Sequence, residues 1–121
     1  MAKILVIDDD PDIRTVLNIL LKKQGHLVDT ASREEEVFEK ITEFQPAIIL
    51  LDVLLSGADG RMICQQVKAN KETSHISVIM FSAHPGAAGK IDSYGADDFI
   101  SKPVNTDSLI SKIQNQLKLS N

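Results

Sequence analysis

Short apolar segments rich in β-branched residues alternate along this chain with longer amphipathic segments. The strongest apolar runs are Ile4–Ile7, Ala47–Leu51 and Ile76–Phe81. Strands become nearly continuous apolar runs when helices cover both faces of a parallel sheet. Weaker strands are predicted over Leu27–Ala31 and Asp98–Ser101. The alternation therefore predicts an α/β fold built on five parallel strands.

Helix boundary signals fall between these runs. The first helix is predicted to follow Asp10 as its N-cap, with Pro11 at its first position and Gly25 ending it. Ser32 and Glu35 form a predicted capping box for the second helix. The predicted buried stripes of these two helices consist of Ile13, Val16, Leu17, Leu20, Leu21, Val37, Phe38 and Ile41.

Three further helices complete a predicted doubly wound (βα)5 domain over residues 1–121. The third follows Gly60, and the last begins near Asn105, a candidate N-cap. The fourth, around Pro85–Ile91, contains two glycines, which disfavour a stable helix, so we expect it to be short and loosely held.

Composition excludes several classes of function. The net charge of the 121 residues is −4 and the basic residues form no run, so binding to nucleic acid or to anionic lipid is not expected. No apolar stretch approaches the length of a membrane span. Cys64 is the one cysteine, which excludes an intramolecular disulfide. We expect a soluble, cytoplasmic single domain.

Polar residues follow four of the five predicted strands. Asp8–Asp10 follow the first, Asp52 the third, Ser82 the fourth and Lys102–Pro103 the fifth. Right-handed crossovers bring the carboxyl ends of parallel strands to one edge of the sheet, where ligands bind. We therefore expect several carboxylates, one hydroxyl and one ammonium group to share this edge.

The crowding of Asp8, Asp9 and Asp52 at this edge predicts a cation site. Two carboxylates about 4 Å apart repel by roughly 4 kcal/mol at an effective dielectric constant near 20. One lysine cannot neutralise three carboxylates, whereas Mg²⁺ prefers such oxygens and keeps positions open for phosphate. The arrangement suits phosphoryl transfer, in which a carboxylate can itself be the nucleophile.

These residues resemble the receiver domain of two-component response regulators over essentially the whole chain. The matching pieces are, in order, Ile7–Pro11, Leu51–Val53 with Asp59–Gly60, Phe81–Ala83, Gly95–Phe99 and Lys102–Pro103. The resemblance implies a flavodoxin-like fold, with strand order 2-1-3-4-5 and helices on both faces of the sheet. It also implies a phosphoacceptor signalling switch rather than a turnover enzyme.

The resemblance assigns a role to each acidic residue. Asp52 is the implied phosphoacceptor, which takes its phosphoryl group from the phosphohistidine of a sensor histidine kinase or a phosphotransfer protein. Asp9 and Asp52 are implied Mg²⁺ ligands, together with the backbone carbonyl of Leu54. Asp8 is expected to act through a coordinated water molecule.

The remaining implied roles concern the phosphoryl group and the response to it. Lys102 would hold a phosphoryl oxygen, and Ser82 would donate its hydroxyl to the attached group. Phe99 matches the aromatic switch position, without the phenol hydroxyl of the tyrosine often found there. The bond before Pro103 is expected to be cis. His84 would flank the site and influence the access of water.

Two departures from the family pattern concern the loops. Ser56 replaces the usual proline, which should loosen the loop after the acceptor. The segment from Ser82 to Phe99 is shorter than usual.

The downstream effector, and whether an effector domain follows Asn121, cannot be read from these residues. We also expect a dimer that forms on phosphorylation.

Other interpretations stay open at this stage. Asp8–Asp10 alone could be a solvated turn, Ser82 an ordinary strand end and Phe99 a core residue. Asp8 and Asp10 have the spacing of a dehalogenase-type phosphatase, although the chain lacks room for a cap domain. A flavodoxin-like cofactor module is a third alternative, disfavoured because carboxylates repel phosphate. A receiver used only for protein interaction is a fourth.

Overall fold

The computed structural model describes residues 2–55, 57–83 and 94–119. Its strands are β1 (Lys3–Ile7), β2 (Leu27–Ala31), β3 (Ile48–Asp52), β4 (Leu54–Leu55), β5 (Ala58–Asp59), β6 (Ser77–Ser82) and β7 (Asp98–Ser101). The helices in these residues are α1 (Pro11–Lys23), α2 (Glu34–Phe44), α3 (Gly60–Ala69) and α4 (Thr106–Leu119). The predicted helix around Pro85–Ile91, His84 and the loop residue Ser56 lie outside the described residues.

Five strands form one parallel sheet in the order β2-β1-β3-β6-β7. Numbered among the five predicted strands, this is the order 2-1-3-4-5, so the fold prediction is confirmed. The third and fourth predicted strands lie one residue further along the chain than expected. Asp52 and Ser82 are consequently the last residues of β3 and β6, and Asp52 is paired with Phe81.

Helices cover both faces of the sheet. Leu17 and Leu21 of α1 pack with Leu109 and Ile113 of α4 in one buried cluster. The other cluster contains Val37 and Ile41 of α2 together with Ile63, Cys64 and Val67 of α3. Alternate residues of β1 belong to the two clusters, as the pleat of a strand requires. No described helix has the length and apolar character needed to cross a membrane.

The ends of α1 agree with the sequence signals. The carboxylate of Asp10 accepts a hydrogen bond from the amide of Asp12, at 2.9 Å, and Pro11 opens the helix. Gly25 follows the C-cap with φ +89°, a conformation that glycine adopts without steric cost. Val16, however, is 61% exposed, so its placement on the buried stripe was wrong.

The capping box predicted for α2 is also wrong. The helix begins at Glu34, and its N-cap residue, Arg33, makes no capping bond with its side chain. Glu36 instead accepts bonds from the amide and hydroxyl of Ser32, at 3.2 and 2.9 Å. Because the helix begins at Glu34, two residues after Ser32, the carboxylate that reaches Ser32 is that of Glu36 rather than that of Glu35. Phe38, expected to be buried, is 37% exposed.

A short antiparallel hairpin separates β3 from α3 and was not predicted. Its strands, β4 and β5, have two residues each and pair Leu54 with Asp59 and Leu55 with Ala58. Gly57, in the connection, has φ +77°. Strands this short lack a periodic apolar pattern, so sequence reasoning had no signal for them. The hairpin brings the chain back to the end of β3, where the polar residues gather.

Candidate functional site

Three carboxylates meet at the carboxyl edge of the sheet. Asp8 is fully buried, Asp52 is 5% exposed, and Asp9 is exposed to solvent. One carboxylate oxygen of each lies within 4.8 Å of the others. The sheet order produces this cluster, because β1 is hydrogen-bonded directly to the central strand β3. The sequence prediction that these side chains lie together is therefore confirmed.

Asp8 is held through all four of its polar atoms. Its amide donates to the carbonyl of Ala31, at 3.1 Å. One carboxylate oxygen accepts from the amide of Asp10, at 2.9 Å, and the other from the ammonium of Lys102, at 3.1 Å. Its carbonyl oxygen accepts from a guanidinium N–H of Arg14, at 2.7 Å. The position of this buried carboxylate is thus strongly determined.

Lys102 joins the two buried carboxylates. Its ammonium lies 3.1 Å from Asp8 and 3.3 Å from Asp52, and its amide donates to the carbonyl of Ser82, at 2.9 Å. The bond between Lys102 and Pro103 is cis, as the resemblance implied. Burial lowers the pKa of Lys102, but its contacts with Asp8 and Asp52 outweigh burial and raise it above the usual value. The lysine is therefore charged at neutral pH.

The pKa of Asp52 is raised to about 6, mainly by burial and then by the negative charge of Asp8. Lys102 and the amide of Leu54, which donates to Asp52 at 3.3 Å, act in the opposite direction without cancelling these effects. One lysine thus leaves the cluster short of positive charge, as the sequence argument expected. At pH 7 Asp52 is nevertheless mostly ionised, because its pKa lies about one unit lower.

The start of α3 packs against the backbone that carries Asp52. The amide of Gly60 donates to the carbonyl of Val53, at 2.7 Å, and a Cβ at position 60 would overlap the carbonyl oxygen of Asp52. Asp59 caps the helix by accepting from the amide of Arg61, at 2.9 Å, and also binds the Arg61 guanidinium. The Asp59–Gly60 pair was recognised only as part of a motif, and the close approach explains why glycine is needed there.

Leu54, Ser82 and Phe99, the other predicted site residues, lie on β4, β6 and β7. Ser82 is 3% exposed at the end of β6 and is paired with Ser101. Phe99, on β7, is partly buried against the core cluster of α2 and α3. Leu54, two residues beyond Asp52, is 47% exposed. These positions are compatible with the roles that the resemblance implied, and the roles themselves stay predictions.

The donor set fits a small, hard cation. Within the described part of the chain, Asp8, Asp9 and Asp52 are the group of acidic, histidine or cysteine residues placed closely enough to hold a metal ion. All of their ligand atoms are carboxylate oxygens, which suit Mg²⁺ rather than a softer metal. Arg14 was missed by the sequence analysis, since a basic residue on an amphipathic helix gives no signal for a contact with the residue that follows the preceding strand.

Comparisons with known proteins agree with this geometry. The family model of the response regulator receiver domain matches residues 4–114. A putative response regulator from Chloroflexus aurantiacus J-10-fl is 29% identical, with a TM-score of 0.89 over 97% of this chain and 98% of that chain. The Vibrio cholerae chemotaxis protein CheY4 is 25% identical, with a TM-score of 0.87 over 95% of this chain and 98% of that chain.

A longer protein shares the same domain. NtrX from Brucella abortus, in a structure with ADP, is 33% identical over 98% of this chain, with a TM-score of 0.90. The match covers 27% of that protein. The family match also removes the dehalogenase-type phosphatase and the flavodoxin-like cofactor module as interpretations. This chain belongs to the response regulator receiver domain family, whose members are signalling switches.

Proposed function

We propose that this protein is a phosphoacceptor switch in which Asp52 takes a phosphoryl group from a phosphohistidine. The observation that carries the proposal is the position of Asp52, which is buried at the end of the central strand, 3.3 Å from Lys102 and clustered with Asp8 and Asp9. Receiver domains interact with histidine kinases and effector domains. We therefore infer a sensor histidine kinase or a phosphotransfer protein as the donor, and a downstream effector of unknown kind. The proposed domain spans residues 1–121, and we place it in the cytoplasm.

The proposed reaction is a direct displacement at phosphorus. An ionised oxygen of Asp52 forms a bond to phosphorus, the bond between phosphorus and the donor's imidazole nitrogen breaks, and an acyl phosphate results. The raised pKa of Asp52, about 6, is still low enough to leave the carboxylate ionised at pH 7. Burial removes much of its hydration, which would otherwise shield the nucleophile from phosphorus.

Mg²⁺ is the proposed cofactor. Asp9 and Asp52 would bind it through carboxylate oxygens, Leu54 through its backbone carbonyl and Asp8 through a water molecule. When bound, the ion supplies positive charge next to the transferring phosphoryl oxygens.

Lys102, Ser82 and Phe99 have proposed roles after transfer. Lys102 lies 3.3 Å from Asp52, within reach of an oxygen on an attached phosphoryl group. Ser82 would donate its hydroxyl to that group from the neighbouring strand. Phe99 lies on β7, which ends directly before Lys102, and would shift with this edge of the sheet. We further propose that phosphorylation favours a dimer.

An apolar groove beside Lys102 offers a docking surface for the phosphodonor. The groove has a volume of about 280 Å³ and is lined chiefly by Ile13, Val16, Leu17 and Val104. Val16 is 61% exposed and adds to the apolar lining of this groove, and contiguous apolar surface can mark an interaction site. A donor that brings its phosphohistidine to Asp52 meets this surface, because Lys102 borders both the groove and the acceptor.

The first test of the proposal is the incorporation of phosphate. Acetyl phosphate with Mg²⁺ should label the native protein with an acid-labile phosphoryl group and leave Asp52→Asn unlabelled. Asp29→Asn, an aspartate that pairs with Lys40 away from the site, should label normally. Labelling of Asp52→Asn would overturn the assignment, and failure of the native protein to label would favour the interaction-only receiver.

The second test separates docking from chemistry. Val16→Asp should slow transfer from a protein phosphodonor several-fold, because a charge then lies in the apolar groove. Its labelling by acetyl phosphate should be unchanged, since a small donor needs no docking surface. Equal rates with the protein donor would remove the groove from the proposal while leaving Asp52 as the acceptor.

A further inference from the structure

We propose that Arg14 is a positioning residue that holds the turn carrying Asp8 and Asp9 in the geometry that binds a divalent cation. The inference rests on the proposed function of the acidic cluster as a cation site. Arg14 is not expected to touch the cation or the phosphoryl group. Its effect is exerted through the backbone of β1, directly before α1 begins.

The contact between Arg14 and Asp8 lies one residue beyond the end of β1. Ile7 is the last residue of β1, paired with Ala31 on one side and Leu51 on the other. One residue later, the carbonyl oxygen of Asp8 accepts a bond from the Arg14 guanidinium, at 2.7 Å. Hydrogen bonds from an ionised donor are shorter and about twice as strong as neutral ones. The amide of Asp8 still bonds to Ala31 of β2, and Arg14 supplies a strong bond to its carbonyl.

Arg14 closes the turn at both ends. Its own amide donates to the carbonyl of Asp10, at 3.1 Å, while its side chain reaches the carbonyl of Asp8. Asp9 lies between these two anchored residues and is itself exposed to solvent. An exposed carboxylate gains no positional restraint from core packing, so the backbone on either side of Asp9 contributes to its orientation. The side chain of Arg14 thus ties the carbonyl of Asp8 to α1, in addition to the capping bond that Asp10 makes to the helix.

The positive charge of Arg14 and its positioning role have opposite effects on the affinity for a divalent cation. Removing a positive charge near three carboxylates would, by electrostatics alone, strengthen the binding of a dication. Loosening the turn would weaken it, because the ligand oxygens must then be ordered when the cation binds. Mg²⁺ demands nearly ideal octahedral geometry, whereas Ca²⁺ accepts irregular sites. A positioning role therefore predicts a larger loss for Mg²⁺ than for Ca²⁺.

The experiment measures Mg²⁺ and Ca²⁺ affinities of the full chain by isothermal titration calorimetry. Arg14→Met should raise the Kd for Mg²⁺ by about tenfold, the size expected from one charge-assisted hydrogen bond, and the Kd for Ca²⁺ by less. Arg14→Lys keeps the charge and one reachable donor, so it should recover most of the affinity. Arg33→Met removes an equal charge, paired with Glu35 and Glu36 and outside the cluster, and should leave both affinities unchanged.

The outcomes separate this inference from the function on which it rests. Binding of Mg²⁺ by Arg14→Met as tight as, or tighter than, that of the native protein overturns the positioning role while the cation site stands. Absence of Mg²⁺ binding by the native protein overturns both. Circular dichroism reports whether Arg14→Met is folded. If it is not, the shorter Arg14→Gln takes its place, and a Kd for Mg²⁺ equal to the native value then counts against the inference.

Discussion

Gly60 lies so close to Asp52 that any side chain at position 60 would overlap the carbonyl oxygen of the acceptor residue. The first residue of α3 and the last residue of β3 are thus in direct backbone contact. The amide of Gly60 also donates to the carbonyl of the next residue, Val53. The position of Asp52 is therefore set in part by the absence of a side chain eight residues later.

We expect Gly60→Ala to destabilise the protein by about 2 kcal/mol or more, because the added methyl group must displace backbone rather than a flexible side chain. Gly25→Ala is the matched control, since its Cβ would meet nothing within 4 Å and only the left-handed φ is strained. Urea unfolding of both variants measures the difference. Equal stability of the two would show that the overlap at Gly60 costs no more than the strained φ at position 25.

Mg²⁺ should stabilise the fold through the acidic cluster. Binding to the folded state alone contributes about 2.7 kcal/mol at a hundredfold excess over the Kd. Thermal unfolding with and without millimolar Mg²⁺ should show a clear rise in Tm for the native protein and for Glu43→Gln, an exposed carboxylate on α2. The rise should be lost in Asp9→Asn, and an unchanged Tm of the native protein would contradict the cation site.

Stability should depend on pH through Asp52 in a defined direction. Its pKa is about 6 in the folded protein against 3.8 as the ordinary value, so the folded state binds this proton more tightly. The resulting contribution is fully present below about pH 4 and is lost as pH rises through 6. Without Mg²⁺, Asp52→Asn should therefore be more stable than the native protein at pH 7, on the order of 2 kcal/mol, and nearly equal to it at pH 4.

Asp59→Asn should change stability with pH in the direction opposite to Asp52→Asn. The hydrogen bond from Arg61 holds the pKa of Asp59 below its usual value, so its contribution is present at neutral pH and lost as pH falls. The Asn variant should be less stable than the native protein at pH 7 and approach it in acid. Urea midpoints between pH 4 and pH 7 test Asp52, and midpoints extended below pH 3.8 test Asp59. An Asp52→Asn variant less stable than native at pH 7 would refute the argument.

Replacing Lys102 should lower the stability of the metal-free protein and strengthen its binding of Mg²⁺. Lys102→Met leaves Asp8 and Asp52 without their ammonium partner, and the metal-free protein should lose about 2 kcal/mol of stability. The same change removes a competing positive charge, so the Kd for Mg²⁺ should fall. Lys40→Met, which breaks the exposed pair with Asp29, should change neither quantity appreciably. Weaker Mg²⁺ binding by Lys102→Met would mean that the lysine orders the carboxylates.

Much of the fold could be predicted because its signals are local and repeated. Apolar runs identified all five strands of the sheet, and Asp10 with Pro11 located the start of α1. The capping of α2 was missed because the pattern offers three consecutive glutamates and only the structure shows which one faces Ser32. Val16 was misplaced for a similar reason, since an apolar side chain turned toward solvent can fit the same periodicity as one turned toward the core.

The residues of the site were predicted more completely than their energetics. Asp8, Asp9, Asp52 and Lys102 follow strands whose ends must meet, so their proximity follows from topology. The sequence could not reveal that Lys102 binds both buried carboxylates, nor that Arg14 holds the carbonyl of Asp8, because both depend on side-chain direction. The contact between Gly60 and Asp52 likewise depends on a hairpin too short to be recognised from its pattern.

The location of Lys102 has a consequence for how the site can be lost. β7 is an edge strand and is hydrogen-bonded to the sheet through β6 alone. Lys102, the residue directly after it, nevertheless contacts Asp8 and Asp52. Peripheral strands open at a lower free energy than central ones. Brief opening of β7 would move the Lys102 ammonium away while Asp8 and Asp52 stay in place at the ends of the inner strands β1 and β3. The proposed phosphoryl transfer therefore requires that β7 stay paired with β6.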